Sequence, residues 1–390
     1  MRALRSLRLG LVGAVALTAT SLAADALAAP APTPVSGSAT GDHSATREAM
    51  DAAVKDGVPG VVGQVNDTYG TWKGTSGVGD LRTGRPRSAG ERYRVGSITK
   101  TFVATVLLQL EAEGRLSLDD KVDRWLPGVV RGNLHDGRRI TLRQLLNHTS
   151  GIFNYRDDEE FVRTYILKDA FYKTRYDTVA LDRHVKYAMT NKPYFTPGSS
   201  WQYSNTNYSL AAMVIEKATG NPYGEEIRRR IITPLRLRAT SVPGTNPRVP
   251  RPSSRAYAKL AESTDGPSHD VTELNPTRAG GGGDIISGAA DLNRFYSALL
   301  RGELLPKKQL AEMKTTVEAK GLPKVRYGLG LAERELSCGV TVWGHHGGIT
   351  GWTSEAVTTA DGRHSLAFNF NGDWSGDSHA VIEAEFCDTL

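Results

Sequence analysis

The chain has 390 residues, of which 39% are hydrophobic and 23% are charged, and its formal net charge is +6 at pH 7. Basic residues are scattered among acidic ones and form no stripe with interleaved aromatic residues, which argues against a nucleic-acid partner. Two cysteines without the usual His and Cys spacing also argue against a metal site, and no cofactor is implied.

The N-terminal residues are typical of a secretory signal peptide. Three arginines precede an apolar run from Leu9 to Leu17, which is too short to span a membrane, and a small-x-small cleavage sequence ends at Ala28. We therefore predict a signal peptide over residues 1–28 that is cleaved near Ala28, followed by a flexible leader over residues 29–44. The mature protein is expected to be secreted and to have no stable membrane anchor.

The next elements are a helix and two strands that lead to a second helix. Apolar spacing and turn residues predict a helix over residues 46–56 and strands over residues 60–65 and 70–74. From Ser97 onwards, apolar residues recur with a helical period until Gly114. The second helix is therefore expected to begin at Ser97.

Ser97 and Lys100 form the only Ser-x-x-Lys sequence of the chain. Three residues apart on a helix, their side chains are neighbours. The simplest role for such a serine is a helix cap, but a capping box has Glu or Gln at the third residue after it, where this chain has a lysine. The positive end of the helix dipole and burial would lower the pKa of Lys100, so that it can accept a proton from Ser97. We predict that Ser97 is a nucleophile activated by Lys100.

The region from residue 126 to residue 277 is predicted to be mainly helical. Its best-defined helices cover residues 141–146 and 208–219, and a Pro-rich loop over residues 243–252 interrupts the chain late in the region.

Tyr203 and Asn205 lie on a loop of this region, before the helix predicted at residue 208. A tyrosine beside a lysine ammonium has a lowered pKa, so Tyr203 and Lys100 could share one proton, and either could be the formal base. Tyr203 could also be an ordinary half-buried aromatic residue. Asn205 could hold Lys100 or a substrate amide, or it could cap the following helix.

The C-terminal part of the chain is predicted to contain most of the remaining strands. They cover residues 327–331, 341–343, 354–359 and 365–371, and the last two flank Asp361-Gly362, a strong hairpin signal.

These strands, together with those near the N-terminus, predict a mostly antiparallel sheet that is covered by helices. The expected fold is α/β, an α+β sandwich, in which residues 45–125 and 278–390 form the sheet-plus-helix domain. Residues 126–277 would then form a mainly helical inserted domain. A catalytic cleft is expected between the two.

A third polar motif, His345 and His346 followed by Gly347 and Gly348, is predicted at the end of a strand. His345 could offer a hydrogen-bond donor or a positive charge at the edge of the cleft, and the glycines allow substrate to approach the backbone closely. The amide N–H groups of Ser97 and Gly348 are the expected oxyanion donors.

The two cysteines are predicted to form a disulfide. Cys338 leads into a strand-like segment and Cys387 lies in the last helix-like segment, and both would be in an oxidising compartment after export.

The chain resembles the class C β-lactamase and D-alanyl-D-alanine carboxypeptidase family of penicillin-recognising serine hydrolases. The matching motifs are Val95-Gly96-Ser97-Ile98-Thr99-Lys100, Asn147-His148-Thr149-Ser150-Gly151, Tyr203-Ser204-Asn205-Thr206-Asn207 and Gly344-His345-His346-Gly347-Gly348. Secreted actinobacterial carboxypeptidases are especially similar, since they share Leu336-Ser337-Cys338-Gly339. The resemblance implies the fold given above and an acyl-enzyme on Ser97.

The chain departs from those carboxypeptidases at residues that concern the substrate. Ala332 stands where they carry an arginine for the terminal carboxylate of the peptide, and Arg334, on the same face of a continued strand, is a candidate replacement. His346 stands where a hydroxyl side chain is usual. Arg278 stands in place of an aromatic wall near residues 280–283.

The motifs and the resemblance together predict a monomeric D-alanyl-D-alanine carboxypeptidase-like enzyme that acts on D-Ala-terminated peptidoglycan peptides and is acylated by β-lactams. An esterase, a D-aminopeptidase or amidase, and a class C-like β-lactamase are the alternatives on the same scaffold. A non-catalytic cell-wall or penicillin-binding module is disfavoured because Ser97, Lys100 and Tyr203 are all present. A Ser-His-Asp triad with His345 is disfavoured because no Gly-x-Ser-x-Gly surrounds Ser97.

Overall fold

A computed structural model of the chain describes residues 41–261 and 266–387. The predicted signal peptide and residues 29–40 of the predicted leader lie outside the described residues. Within the described ranges, no helix is both long and apolar enough to cross a bilayer.

Fifteen strands occur among the described residues. In chain order they are β1 (Gly60–Asn66), β2 (Thr71–Asp80), β3 (Arg85–Pro86), β4 (Tyr93–Arg94), β5 (Arg131–Gly132), β6 (His135–Asp136), β7 (Tyr257–Ala258), β8 (His269–Asp270), β9 (Ile286–Ser287), β10 (Val317–Glu318), β11 (Val325–Tyr327), β12 (Ala332–Glu335), β13 (Thr341–Ile349), β14 (Trp352–Thr359) and β15 (Ser365–Phe370). Nine of them form one antiparallel sheet with the order β10-β11-β12-β13-β14-β15-β1-β2-β3. The other six form three two-stranded pairs.

The α-helices within the same residues number twelve. In chain order they are α1 (Ser44–Lys55), α2 (Thr99–Ala112), α3 (Val122–Trp125), α4 (Leu142–Leu146), α5 (Glu159–Tyr165), α6 (Lys168–Thr174), α7 (Leu181–Met189), α8 (Asn205–Thr219), α9 (Tyr223–Ile227), α10 (Ala289–Leu300), α11 (Lys307–Met313) and α12 (Ser378–Cys387).

The central strands of the sheet are buried on both faces. On one face of β1, Val61 lies in a core with Met50 of α1 and Phe386 of α12. On the opposite face, Val62 belongs to the larger core, which contains Phe295 of α10. Side chains alternate between the faces of a strand, so adjacent valines reach different helical layers. The sheet is therefore a middle layer between helices.

Helix α2 lies in the larger core and is buried along most of its length. Residues 99–108 are all buried, and the ring of Phe102 stacks on that of Phe295 with 3.8 Å between centroids. Because the whole circumference of the helix is covered, its polar residues need partners inside the protein. Thr101, for example, donates a hydrogen bond to the carbonyl oxygen of Gly330 at 2.7 Å.

The mixed α/β fold with a large antiparallel sheet and helices is confirmed. The predicted helix over residues 46–56 is α1, and Asp361-Gly362 lies in the connection between β14 and β15. Cys338 and Cys387 form the predicted disulfide, with 5.7 Å between their Cα atoms. The boundaries of the inserted domain at residues 126 and 277 remain predictions.

The strand predicted over residues 327–331 is wrong. Strand β11 ends at Tyr327, and β12 begins at Ala332, so the chain reverses direction between them. Gly330 has a φ of +69°, and a Cβ atom there would lie 2.6 Å from that of Ala104 in α2. The tight turn against α2 therefore needs glycine, and the apolar Leu329 and Leu331 in it resembled a strand.

Candidate active site

Ser97 lies in a short 3-10 turn, Gly96–Ile98, that directly precedes α2. The α-helix itself begins at Thr99, two residues later than predicted. Strand β13 packs directly against this turn. A Cβ atom added to Gly96 would lie 2.7 Å from the carbonyl oxygen of Gly348. A Cβ atom added to Gly347 would lie 2.0 Å from the carbonyl oxygen of Val95. Glycine at both positions therefore allows the strand to reach the nucleophile.

Lys100 is fully buried and its amine has three hydrogen-bonding neighbours. Its Nζ atom lies 3.0 Å from Ser97 Oγ, 2.8 Å from Asn205 Oδ1 and 2.8 Å from the carbonyl oxygen of Gly282. The two carbonyl oxygens can only accept hydrogen bonds. A neutral amine has two N–H donors for them, which directs its lone pair at the Ser97 hydroxyl.

The electrostatic surroundings favour this neutral amine. Burial lowers the pKa of Lys100 well below its usual value, and the positive charge of Arg156 lowers it further, while Asp284 opposes the shift. The direction agrees with the prediction for Lys100. The amine is therefore suited to accept the proton of Ser97.

Tyr203 lies in contact with the same lysine, but its pKa shifts in the direction opposite to the prediction. Its ring centroid is 4.8 Å from Lys100 Nζ. Burial raises the pKa of Tyr203, and a hydrogen bond with Ser97 opposes this rise only in part. The prediction of a lowered pKa is wrong because it assumed a charged lysine, whereas burial removes that charge. The phenol is therefore protonated, which favours Lys100 as the base of the free protein.

Asn205 begins helix α8 and orients the lysine. Its Oδ1 atom accepts from Lys100, and its Nδ2 atom donates to Asn154 Oδ1 at 3.1 Å. Ser204 occupies the position before the helix, so Asn205 does not cap it. Of the roles considered from sequence, holding Lys100 is the one with this geometry.

His345 lies inside β13 rather than at its end, and its side chain is turned away from solvent. Its Nδ1 atom contacts the carbonyl oxygen of His346, and its Nε2 atom lies 2.7 Å from the hydroxyl of Tyr327. Since a carbonyl only accepts, Nδ1 carries the proton and Nε2 accepts from the phenol. Burial, with a contribution from Lys100, lowers the pKa of His345 to about 3. The histidine is neutral, so the predicted positive charge is wrong.

His346 lines the cleft and forms an ion pair with the buried Glu355. Its Nδ1 atom is 2.8 Å from Glu355 Oε1, and Arg334 Nη2 is 3.7 Å from the other oxygen of that carboxylate. Burial disfavours the charge on Glu355, but Arg334 and His346 outweigh it and lower the pKa of this residue to about 2. Arg334 therefore forms an ion pair with Glu355. It is not among the described residues that line the cleft.

Arg278, expected to replace an aromatic wall of the cleft, is directed elsewhere. It is buried, and its guanidinium donates to the carbonyl oxygens of Tyr165 at 2.9 Å and Thr174 at 2.8 Å. Its role is to connect helices α5 and α6. The wall of the cleft next to Arg278 is formed by three small residues, Ala279, Gly282 and Gly283. None of the described residues at this position carries the aromatic ring that was expected.

The motifs from three separate parts of the chain meet in one cleft with a volume of about 580 Å³. Its lining includes the predicted residues Ser97, Tyr203, Asn205, His346 and Gly348. A more open depression of about 820 Å³ beside α5 and α6 contains none of the predicted site residues. The smaller cleft is therefore the candidate active site.

Several residues of the cleft were missed in the sequence. They include Tyr155, Arg156, Ile349, Asp373 and Trp374. Tyr155 and Arg156 follow closely after the Asn147–Gly151 motif, which was the available signal. Nothing in the local sequence distinguishes Arg156 among the 48 lysines and arginines of the chain.

Three comparisons relate the chain to known proteins. The sequence profile of the Beta-lactamase family matches residues 44–384. A crystal structure of a D-stereospecific amidohydrolase from Streptomyces sp. is 58% identical, has a TM-score of 0.85, and aligns over 90% of this chain and 100% of that one. A D-amino acid amidase from Ochrobactrum anthropi SV3 is 28% identical, with a TM-score of 0.75 over 89% and 96% of the two chains.

The chain is also similar to a penicillin-binding protein. Penicillin-binding protein 4* of Bacillus subtilis is 27% identical over 307 residues, which is 76% of this chain. The match spans 64% of that relative, so the chain covers less than two thirds of its length.

Proposed function

Because this chain belongs to the Beta-lactamase family, we propose that it is a serine amidohydrolase that cleaves amides of D-amino acids through an acyl-enzyme on Ser97. The observation that carries the proposal is the 58% identity over 90% of the chain with the D-stereospecific amidohydrolase from Streptomyces sp.. The contact between Lys100 and Ser97 supplies the chemistry that such an activity needs.

The first step is attack of Ser97 Oγ on the amide carbonyl carbon. The hydroxyl proton moves to Lys100 Nζ, which lies 3.0 Å away with its two N–H groups occupied by carbonyl oxygens. The carbonyl oxygen takes up the negative charge and is stabilised by the amide N–H groups of Ser97 and Gly348. Loss of one such donor typically costs about 10²- to 10³-fold in rate.

The second step breaks the C–N bond. The Lys100 ammonium returns its proton to the leaving nitrogen through the protonated phenol of Tyr203, leaving an ester on Ser97. Water then attacks the ester carbonyl, its proton passes to Lys100, and collapse of the adduct releases the acid while Ser97 regains a proton. Every proton taken from Ser97 or water is thereby returned, and no cofactor enters the balance.

D-alanyl-D-alanine carboxypeptidase activity remains a prediction from the sequence. It requires a group for the terminal carboxylate of the peptide, and neither position singled out from the sequence supplies one, because Ala332 carries no charge and Arg334 is paired with Glu355. We favour the amidohydrolase proposal because an unsubstituted amide needs no such group and because the D-stereospecific amidohydrolase from Streptomyces sp. is 58% identical.

The proposal is tested by kcat/KM for D- and L-phenylalaninamide, a diacyl D-Ala-D-Ala peptide, a short-chain ester and a cephalosporin. We expect the D-amide to be cleaved faster than its L-isomer, with activity lost in Ser97→Ala. Ser88→Ala, at an exposed serine outside the cleft, is the matched control. Turnover of the ester or the cephalosporin without the D-amide would contradict the proposal, and D-alanine release as the fastest reaction would restore the carboxypeptidase.

We also propose that the enzyme acts outside the cell. The signal-like residues 1–28 and the pairing of Cys338 with Cys387 support export to an oxidising compartment. N-terminal sequencing of protein from culture supernatant is expected to begin near Ala29. Intact protein found only in the cell would contradict export.

A further inference from the structure

Arg156 is a cation in the cleft whose side chain has no partner among the described residues. It lies in the 3-10 turn Tyr155–Asp157 and lines the same cleft as Ser97. Its backbone N–H donates to Asn154 Oδ1, but its guanidinium forms no hydrogen bond, ion pair or ring contact within the part of the chain that the structure describes. Arg278 and Arg334, by contrast, are both occupied by protein groups.

Arg156 lines the cleft together with Ser97 and Tyr203. Its charge adds to the effect of burial in lowering the pKa of Lys100. Asp373 lines the same cleft, but its side chain and that of Arg156 form no ion pair. Asp373 Oδ2 instead accepts the N–H of Gly351 at 2.8 Å. The positive charge of Arg156 in the cleft is therefore not neutralised by an ion pair with any of the described residues.

A guanidinium that is partly removed from water and unpaired is well suited to an anion. Its planar fork binds a carboxylate through two parallel hydrogen bonds, which a lysine ammonium cannot do. The low-dielectric walls of a cleft strengthen the attraction. Arg156 is the one arginine among the described residues that line this cleft.

We propose that Arg156 binds a carboxylate of the substrate, and this inference rests on the proposed amidohydrolase function. The carboxylate belongs either to the leaving group of a D-aminoacyl peptide or to the side chain of the D-amino acid. Both sources bring the same anion into the cleft. Substrates that carry it are therefore preferred over neutral amides of the same shape.

Two pairs of ligands separate the sources, because the members of each pair differ only in one carboxylate. D-alanylglycine and D-alanylglycinamide test the leaving group, and the α-amides of D-glutamate and D-glutamine test the side chain. Binding is measured by calorimetry in Ser97→Ala, which cannot turn the ligands over. We expect the carboxylate of one pair to bind about 10- to 100-fold more tightly than its amide, as charged hydrogen bonds do.

Adding Arg156→Gln is expected to abolish this preference and Arg156→Lys to restore only part of it, because lysine keeps the charge and loses the fork. Arg163→Gln, at an exposed arginine that does not line the cleft, is the matched control and should keep the preference. Equal affinities within both pairs, or a preference that survives Arg156→Gln, would overturn the inference.

Turnover of the same four ligands by the unsubstituted protein distinguishes this inference from the proposed function. If none of the four ligands is hydrolysed but the preference for the carboxylate depends on Arg156, the anion site is supported and the amidohydrolase proposal is contradicted. If the ligands are hydrolysed but those with a carboxylate are neither bound nor turned over in preference, the proposed function is supported and the anion site is contradicted.

Discussion

The amine of Lys100 donates to two carbonyl oxygens, those of Asn205 and Gly282, and neither can give a proton back. This arrangement distinguishes the lysine from a simple counter-charge. It holds the lone pair towards Ser97 before any substrate arrives, so little reorganisation is needed when the hydroxyl is deprotonated.

Replacing Lys100 by methionine should therefore abolish acylation and keep the fold. Methionine has a similar length and a flexible apolar side chain that tolerates burial, and it has no amine that could accept a proton. We expect the rate of covalent modification of Ser97 by benzylpenicillin, followed by mass spectrometry, to fall by at least about 10²-fold. A cooperative thermal transition should remain, with some loss of stability because Asn205 and Gly282 lose a donor. An adduct formed at the original rate would show that Lys100 is not the base.

Arg156 should also determine the pH at which activity is lost. Activity requires neutral Lys100, so it falls as the pH decreases through the lowered pKa of that amine. Removing the positive charge in Arg156→Gln raises this pKa, because the charge helps to lower it. The acid limb of kcat/KM for D-phenylalaninamide should move to higher pH. An acid limb that stays in place or moves to lower pH would contradict the effect of Arg156 on the pKa of Lys100. Arg163→Gln is the control and should leave the acid limb unchanged.

Single residues could be predicted where spacing alone brings them together. Ser97 and Lys100 are neighbours on any helix, so their contact followed from the sequence. The raised pKa of Tyr203 could not be predicted, because burial depends on the whole cleft. Arg156 was missed for a similar reason, since its importance lies in the absence of a partner that only tertiary structure can show.

At the scale of elements, the approach of β13 to the turn at Ser97 depends on glycine. Gly347→Ala would place a methyl group 2.0 Å from the carbonyl oxygen of Val95, and backbone atoms there cannot move independently. We expect the free energy of unfolding to fall by about 1–3 kcal/mol. Activity should fall with it, because the strand is pushed away from the nucleophile.

Gly348→Ala is the control for stability, measured by urea unfolding in both variants. The nearest atom to a methyl group at Gly348 is His346 Nε2, at 3.9 Å, so no clash arises. Equal stability of the two variants would mean that β13 and the turn are not in contact as described.

Elements with local signals were predicted well, and those defined by tertiary contacts were not. Helix α8 ends at Gly220, whose φ of +78° is typical of a C-terminal glycine, and the hairpin at Asp361-Gly362 has an equally local signal. The reversal at Gly330 has no such signal, because it depends on the close approach of α2. The short strands β10, at the edge of the sheet, and β12, between β11 and β13, were also missed, because they are defined by pairing with other strands.

At the scale of the whole molecule, the disulfide joins helix α12 to the loop before β13. It closes a loop of 49 residues, for which chain entropy predicts a contribution of about 4 kcal/mol. Cys338→Ser with Cys387→Ser should lower the free energy of unfolding in urea by up to this amount. Activity at low denaturant should be retained, because neither cysteine lines the cleft. Unchanged stability would indicate that the cysteines are not paired.

The fold class was predictable because its strands come from both ends of the chain with clear alternation and turns. The strand order was not, since pairing partners far apart in sequence leave no mark in either segment. The pairing of β1 with β15, which crosses nearly the whole described chain, is the clearest example.

This pairing also has a consequence for biosynthesis. While the ribosome is still translating the middle of the protein, β1 lacks its neighbour β15, and the turn that carries Ser97 lacks the strand β13 that packs against it. We therefore expect the nascent polypeptide to be inactive until β13 has emerged from the ribosome. Activity should then appear in one late step, when β13 and β15 join the sheet, rather than gradually during translation.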